Sequence, residues 1–170
     1  MLANLGNAYE VSGNIDRAKN YYEEQRVLAE SKGLPNYVGT SYNGIGFVFV
    51  KQGKIEKAID CYFMALDSYR ELEDNDKQLE LLIGIGLNYR KLKQWGKAIE
   101  CFEQALGIAK YIENRKEETQ IHVDLAEIFF QIENRDLALS QIEEAEEGLK
   151  NIKTAWGTSL VRRIESLKNF

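Results

Sequence analysis

The residue types that most often carry chemistry are sparse in this chain and poorly spaced for it. His122 is the sole histidine, so a nucleophile–base pair of the hydrolase kind has no evident members. Its position recurs every forty residues as Leu2, Tyr42 and Leu82, which favours a packed imidazole over a catalytic one. Cys61 and Cys101 are the two cysteines. At equivalent places on neighbouring packed helices they would lie about 10 Å apart, beyond the reach of a disulfide, and two thiolates alone make no zinc site. Both are expected to be reduced and semi-buried. Gly44-x-Gly46 and Gly84-x-Gly86 look like part of a dinucleotide loop, but the third glycine is missing and the pattern around them is helical. The acidic run Glu143-Glu144-Ala145-Glu146-Glu147 lacks the turn-rich loop of a calcium site and reads as a solvated helix face. These residues predict a protein without catalytic machinery, cofactor or metal.

Composition narrows the partners. The chain has 170 residues, 44% hydrophobic and 29% charged, with Pro35 as its one proline. That balance suits an ordered protein, and a chain so poor in proline can be helical nearly throughout. A net charge of −5 opposes a nucleic-acid partner, which would need a surplus of Lys and Arg. No apolar run is long enough to cross a membrane, and no signal segment opens the chain. The cytoplasm is the expected compartment.

What must position any site is a repeat of forty residues. Leu5, Ile45, Ile85 and Leu125 share one column; Gly6, Gly46, Gly86 and Ala126 the next. Tyr9, Phe49, Tyr89 and Phe129 follow, then Ala18, Ala58, Ala98 and Ala138. Tyr22, Tyr62, Phe102 and Ile142 form a fifth column, and Gln25, Ala65, Ala105 and Ala145 a sixth, with no insertion anywhere. Pairs such as Leu5/Tyr9 and Ala18/Tyr22 are spaced i, i+4 and so lie on one helix face. Polar breaks at 12–14, 52–54, 93–94 and 133–134 separate them. Gly13 and Gly53 suit the left-handed end of a helix, and Asn14 and Asn134 the cap of the next. An interior glycine costs a helix roughly 1 kcal/mol relative to alanine, so Gly6, Gly46 and Gly86 predict close approach of a partner helix at the alanine column.

The pattern Leu5-Gly6-x-x-Tyr9 with Ala18-x-x-x-Tyr22, repeated as Ile85-Gly86-x-x-Tyr89 with Ala98-x-x-x-Phe102 and Ala105, resembles the tetratricopeptide repeat across essentially the whole chain. It departs in lacking the closing proline and in running about six residues beyond the usual 34. The resemblance implies an all-α, right-handed superhelix of four helical hairpins, over 1–33, 34–73, 74–113 and 114–153, with a capping helix over 154–170: nine helices in one array. In that last segment Trp156, Leu160, Val161, Ile164 and Leu167 read as the buried stripe, with Arg162 and Arg163 facing away. The first helix begins in mid-pattern, which suggests a piece of a longer chain.

The resemblance also implies a concave groove lined by the first helix of each hairpin. The residues half a turn from the core face are Asn7 and Glu10; Asn43, Phe47 and Val50; Ile83, Leu87 and Arg90; and Val123, Glu127 and Phe130. Phe47, Leu87 and Phe130 would be apolar anchors, unless they pack between neighbouring first helices, while Asn7, Asn43 and Arg90 would fix orientation. Gly44 and Gly84 would leave the floor open. Family members that grip a terminal carboxylate use two basic residues and two asparagines. Here only Asn7 matches, beside Ala3, Gly44, Glu80 and Gly84, so the expected partner is another protein's apolar segment or amphipathic helix. The expected role is a scaffold or adaptor, with a peptide-sensing regulatory module as the alternative. Pairing of terminal repeats into a homodimer is also open.

Overall fold

The computed structural model describes Gly6, Tyr9 and residues 11–150 and 154–168. They contain no strand and eight helices: α1 (Ile15–Ser31), α2 (Pro35–Lys51), α3 (Ile55–Glu71), α4 (Asn75–Lys91), α5 (Trp95–Tyr111), α6 (Arg115–Gln131), α7 (Arg135–Leu149) and α8 (Ala155–Lys168). Helix starts fall every twenty residues, so the length beyond a 34-residue repeat is shared evenly between the two helices of a hairpin. Gly6, Tyr9 and Val11 are helical too; the rest of the expected first helix lies outside the described residues.

One turn geometry recurs seven times. The amide just past each helix bonds a carbonyl five residues back, as in Asn14 to Tyr9 at 2.8 Å, Leu34 to Ala29 at 3.0 Å and Asn114 to Ala109 at 2.8 Å. This pattern requires a left-handed residue just before the donor. Gly13, Gly33 and Gly53 supply it at φ of 79°, 61° and 73°, but Glu73, Lys93, Glu113 and Glu133 are forced into it at 52–60°. At three of these four turns a cap offsets the loss: Asp74, Asn114 and Asn134 each accept from the third amide of the helix that follows.

The chain falls into two compact units, residues 1–88 and 89–170. In the first, Ala18, Tyr22, Ile45 and Val48 form a core on which Tyr9, Ile15, Phe49 and Cys61 pack. A Cβ on Gly46 would come within 2.6 Å of the Tyr62 ring and 3.2 Å of the Ala58 carbonyl, which is the close approach expected at that glycine. Gln25, the odd member of an alanine column, is buried because Ser41 Oγ donates to its Oε1 at 2.8 Å. In the second unit, Val123, Ala126, Ile142, Ala145, Leu149, Leu160 and Ile164 form the core, with Phe130, Trp156 and Leu167 against it.

The buried face of α8 differs from the expected one. Val161 is exposed and Arg163 half-buried. The reason is helical spacing: Arg163 stands i+3 from Leu160 and i−4 from Leu167, within the stripe, whereas Val161 is turned about 100° away from Leu160. Side-chain type suggested the opposite.

Candidate partner-binding site

Within the first unit, α2 and α4 present facing rows at i, i+3/i+4, i+7 spacing. Thr40, Asn43, Gly44 and Phe47 come from α2, and Glu80, Ile83, Gly84 and Leu87 from α4. With Val11, Lys77, Leu81 and the rings of Tyr22, Tyr62 and Tyr69 they line a groove of about 710 Å³. Four predicted residues, Asn43, Phe47, Ile83 and Leu87, are therefore brought together here, all half-buried. Val50, one turn beyond Phe47, is half-buried but does not line the groove. The Lys51 ammonium lies 4.9 Å from the centre of the Phe47 ring. Lys77 donates to Glu80 at 2.7 Å, so the groove's two charges neutralise each other. Among the described residues the Asn43 carboxamide has no hydrogen-bond partner, leaving donor and acceptor both available.

The two glycines expected to open the floor behave differently. A Cβ on Gly44 would meet Tyr22 at 2.6 Å, so that ring fills the space, whereas nothing lies within 4 Å of a Cβ on Gly84. Only Gly84 is open.

In the second unit the predicted residues are committed elsewhere. Val123 is fully buried, because α6 is covered on that side by core rather than solvent, and it cannot touch a partner. Arg90 does not point free: its Nη1 donates to Asp124 Oδ1 at 2.9 Å and Glu127 Oε2 at 2.6 Å. Arg163 completes the network from α8, donating through Nε and Nη2 to Glu127 Oε1 at 2.9 and 2.6 Å, and through Nη2 to Asp124 Oδ1 at 2.9 Å. Burial by itself would lower the Arg163 pKa; the Glu127 and Asp124 carboxylates reverse that and leave it raised. Phe130 packs on the core and borders a hollow of about 410 Å³ with Gln131, Glu133, Arg135 and Leu167. Asn7 and Glu10 lie outside the described residues.

The repeat columns do not single out Asp124, and side-chain type places Arg163 on the outer face of α8, whereas both belong to this network. Asp124 occupies the column of Gly44 and Gly84, and Glu127 that of Phe47 and Leu87, so the clue was a column changing from small and apolar to acidic. His122 is buried, with Nδ1 2.8 Å from Gln141 Oε1. Cys61 and Cys101 are free thiols; Cys61 is half-buried, while Cys101 is fully buried rather than semi-buried. Burial, with Glu100 adding to it, pushes Cys101 up to about 11, and burial followed by Asp60 raises Cys61. Among the described residues no three His, Cys, Asp or Glu side chains are grouped to hold a metal, and no helix is long and apolar enough to cross a membrane.

Comparison with known proteins matches the tetratricopeptide repeat family model to residues 1–71, 37–111 and 77–151. Response regulator aspartate phosphatase E of Bacillus subtilis (strain 168) is 31% identical over 71 residues, which are 42% of this chain and 19% of that protein. Among solved structures, aspartyl phosphate phosphatase F from Bacillus subtilis superposes with a TM-score of 0.86 at 14% identity, covering 99% of this chain and 43% of that one. BtubC from P. vanneervenii superposes at 0.79 with 19% identity, covering 90% and 65%. The chain thus spans only part of the relatives it matches.

Proposed function

The chain belongs to the tetratricopeptide repeat family, and from that premise we propose that it is a non-enzymatic, cytoplasmic protein-binding module whose groove between α2 and α4 receives an apolar peptide segment of a partner. One observation carries the reading. Phe47, Ile83 and Leu87 stay half-exposed around a shared groove beside the unpartnered Asn43 carboxamide, although covering apolar surface yields about 25 cal/mol per Å². A volume of about 710 Å³ is in the range that encloses a small ligand or a few side chains. The mechanism is complementarity: apolar side chains fill the groove while Asn43 orients the peptide through its amide groups.

The test is selection of random peptides displayed on phage against the full chain, followed by affinity measurements on Leu87→Glu. Peptides that bind the wild type and not a cooperatively melting Leu87→Glu protein support the groove; equal binding to both overturns it. A second reading, a peptide-sensing regulatory module, draws on the 31% identity to a response regulator phosphatase. Hydrogen exchange separates the two: protection by a selected peptide confined to α2 and α4 favours the adaptor, and altered protection in α6–α8 favours the sensor.

A further inference from the structure

We propose that the open floor at Gly84 is a specificity subsite that takes one uncharged, aliphatic side chain of the bound peptide. The proposal rests on the groove reading above and sharpens it.

Packing gives Gly84 no reason to be glycine. The same column is closed at Gly44, where the Tyr22 ring would lie 2.6 Å from a Cβ. Tyr62, the counterpart of Tyr22 forty residues on, covers Gly46 at 2.6 Å as Tyr22 covers Gly6 at 2.5 Å, but it does not also reach Gly84, where the space stays empty. Gly84 sits inside α4, far from either end, and its φ is not in the left-handed region, so an alanine would fit without collision and would strengthen the helix. Gly96 and Gly107 in α5 are equally unobstructed, but both are exposed. Among the glycines whose surroundings are described, Gly84 alone combines open space with a place in the groove.

Charge complementarity selects the occupant. Lys77 and Glu80 pair with each other at 2.7 Å, so among the described residues no charge lining the groove remains for a ligand ion, and a charged side chain there would be desolvated without a partner. Ile83, Leu87 and the Tyr62 ring line the same groove as Gly84, surfaces that favour an aliphatic group over a polar one.

The experiment uses peptides selected against the full chain, each tested with and without its aliphatic residues cut to alanine, on wild type, Gly84→Ala, Gly84→Leu and Leu87→Glu. Gly84→Ala is expected to melt about 2–4 °C higher while binding about tenfold or more weaker, with Gly84→Leu weaker still. Truncating the critical aliphatic residue should cost the wild type a similar factor and Gly84→Ala almost nothing, the coupling expected of groups in contact. If Gly84→Ala binds as the wild type does but Leu87→Glu does not, the groove stands and the subsite falls. Should Leu87→Glu fail to fold, Asn43→Arg takes its place, since among the described residues Asn43 has no partner to lose. If neither variant affects binding, or no peptide is enriched, both readings fall. A charged residue coupling to Gly84 would overturn the chemical class proposed.

Discussion

Replacing Asp124 by asparagine keeps the shape of the side chain and removes its charge, which isolates the electrostatic share of the network that ties α8 down. Asp124 is 5% exposed and accepts from Arg90, Arg163 and Gln120. Gln120 can turn its amide to face the new one, so the loss falls on the two guanidinium bonds. Removing one partner of a fully buried pair costs about 3–5 kcal/mol. Arg90 and Arg163 are 29% and 34% exposed and both retain Glu127, so water and the second carboxylate recover part of that cost. About 2 kcal/mol is expected after this discount, which in a chain of this length lowers the melting temperature by about 4–8 °C. Circular dichroism would follow the whole fold. Fluorescence of Trp156 in a Trp95→Phe background would report on α8 alone and should move first. The double variant with Arg163→Met should be less destabilised than the sum of its parts, because each single change breaks the same bond. Most of the difference should survive molar salt, where the Debye length falls to about 3 Å, since Asp124 is shielded from ions. A melting point within about 1 °C of the wild type, or simple additivity with Arg163→Met, would refute the reasoning.

Three further outcomes follow from other features of the fold. The Cys101 thiol is held up to about 11 from a usual 9.0, so the folded chain keeps its proton after the unfolded chain has released one. That stability is full below pH 9 and is lost as pH rises towards 11, by about 2–3 kcal/mol; urea unfolding at both pH values should show a shallower decline for Cys101→Ser than for the wild type, and equal declines would sink the argument. Gly44→Ala must displace the Tyr22 ring that would sit 2.6 Å from the new Cβ, and should destabilise by about 1–3 kcal/mol in denaturant titrations. Glu113→Gly relieves a left-handed residue at φ 57° and should stabilise by about 0.5–1 kcal/mol, a gain absent if the turn is already relaxed.

Much of this architecture was legible in the residues alone. Helix starts every twenty residues follow from the column spacing, and the fully buried alanines 18, 58, 98 and 138 were visible as an invariant small column. Local rules govern both: a helix has a fixed period, and a small residue under a ring has a fixed consequence. Turn chemistry was only half legible. Gly13 and Gly53 announced themselves, but Glu73, Lys93, Glu113 and Glu133 adopt the same conformation because hydrogen bonding in the turn and packing of the helices override the local preference.

The site divides in the same way. The forty-residue columns show which helix faces turn away from the hairpin cores, and Asn43, Phe47, Ile83 and Leu87 on those faces do line one groove. Which members of those faces are left uncovered depends on packing between distant helices. Val123 is buried, Arg90 is held by Asp124 and Glu127, Glu127 is held by Arg163 as well, and Tyr22 fills the space at Gly44 but Tyr62 leaves it open at Gly84. Periodicity assigns a residue to a face, whereas exposure depends on which side chains from other helices reach that face, and such contacts span 34 to 39 residues in the Arg90–Asp124–Arg163 network. No local pattern encodes them.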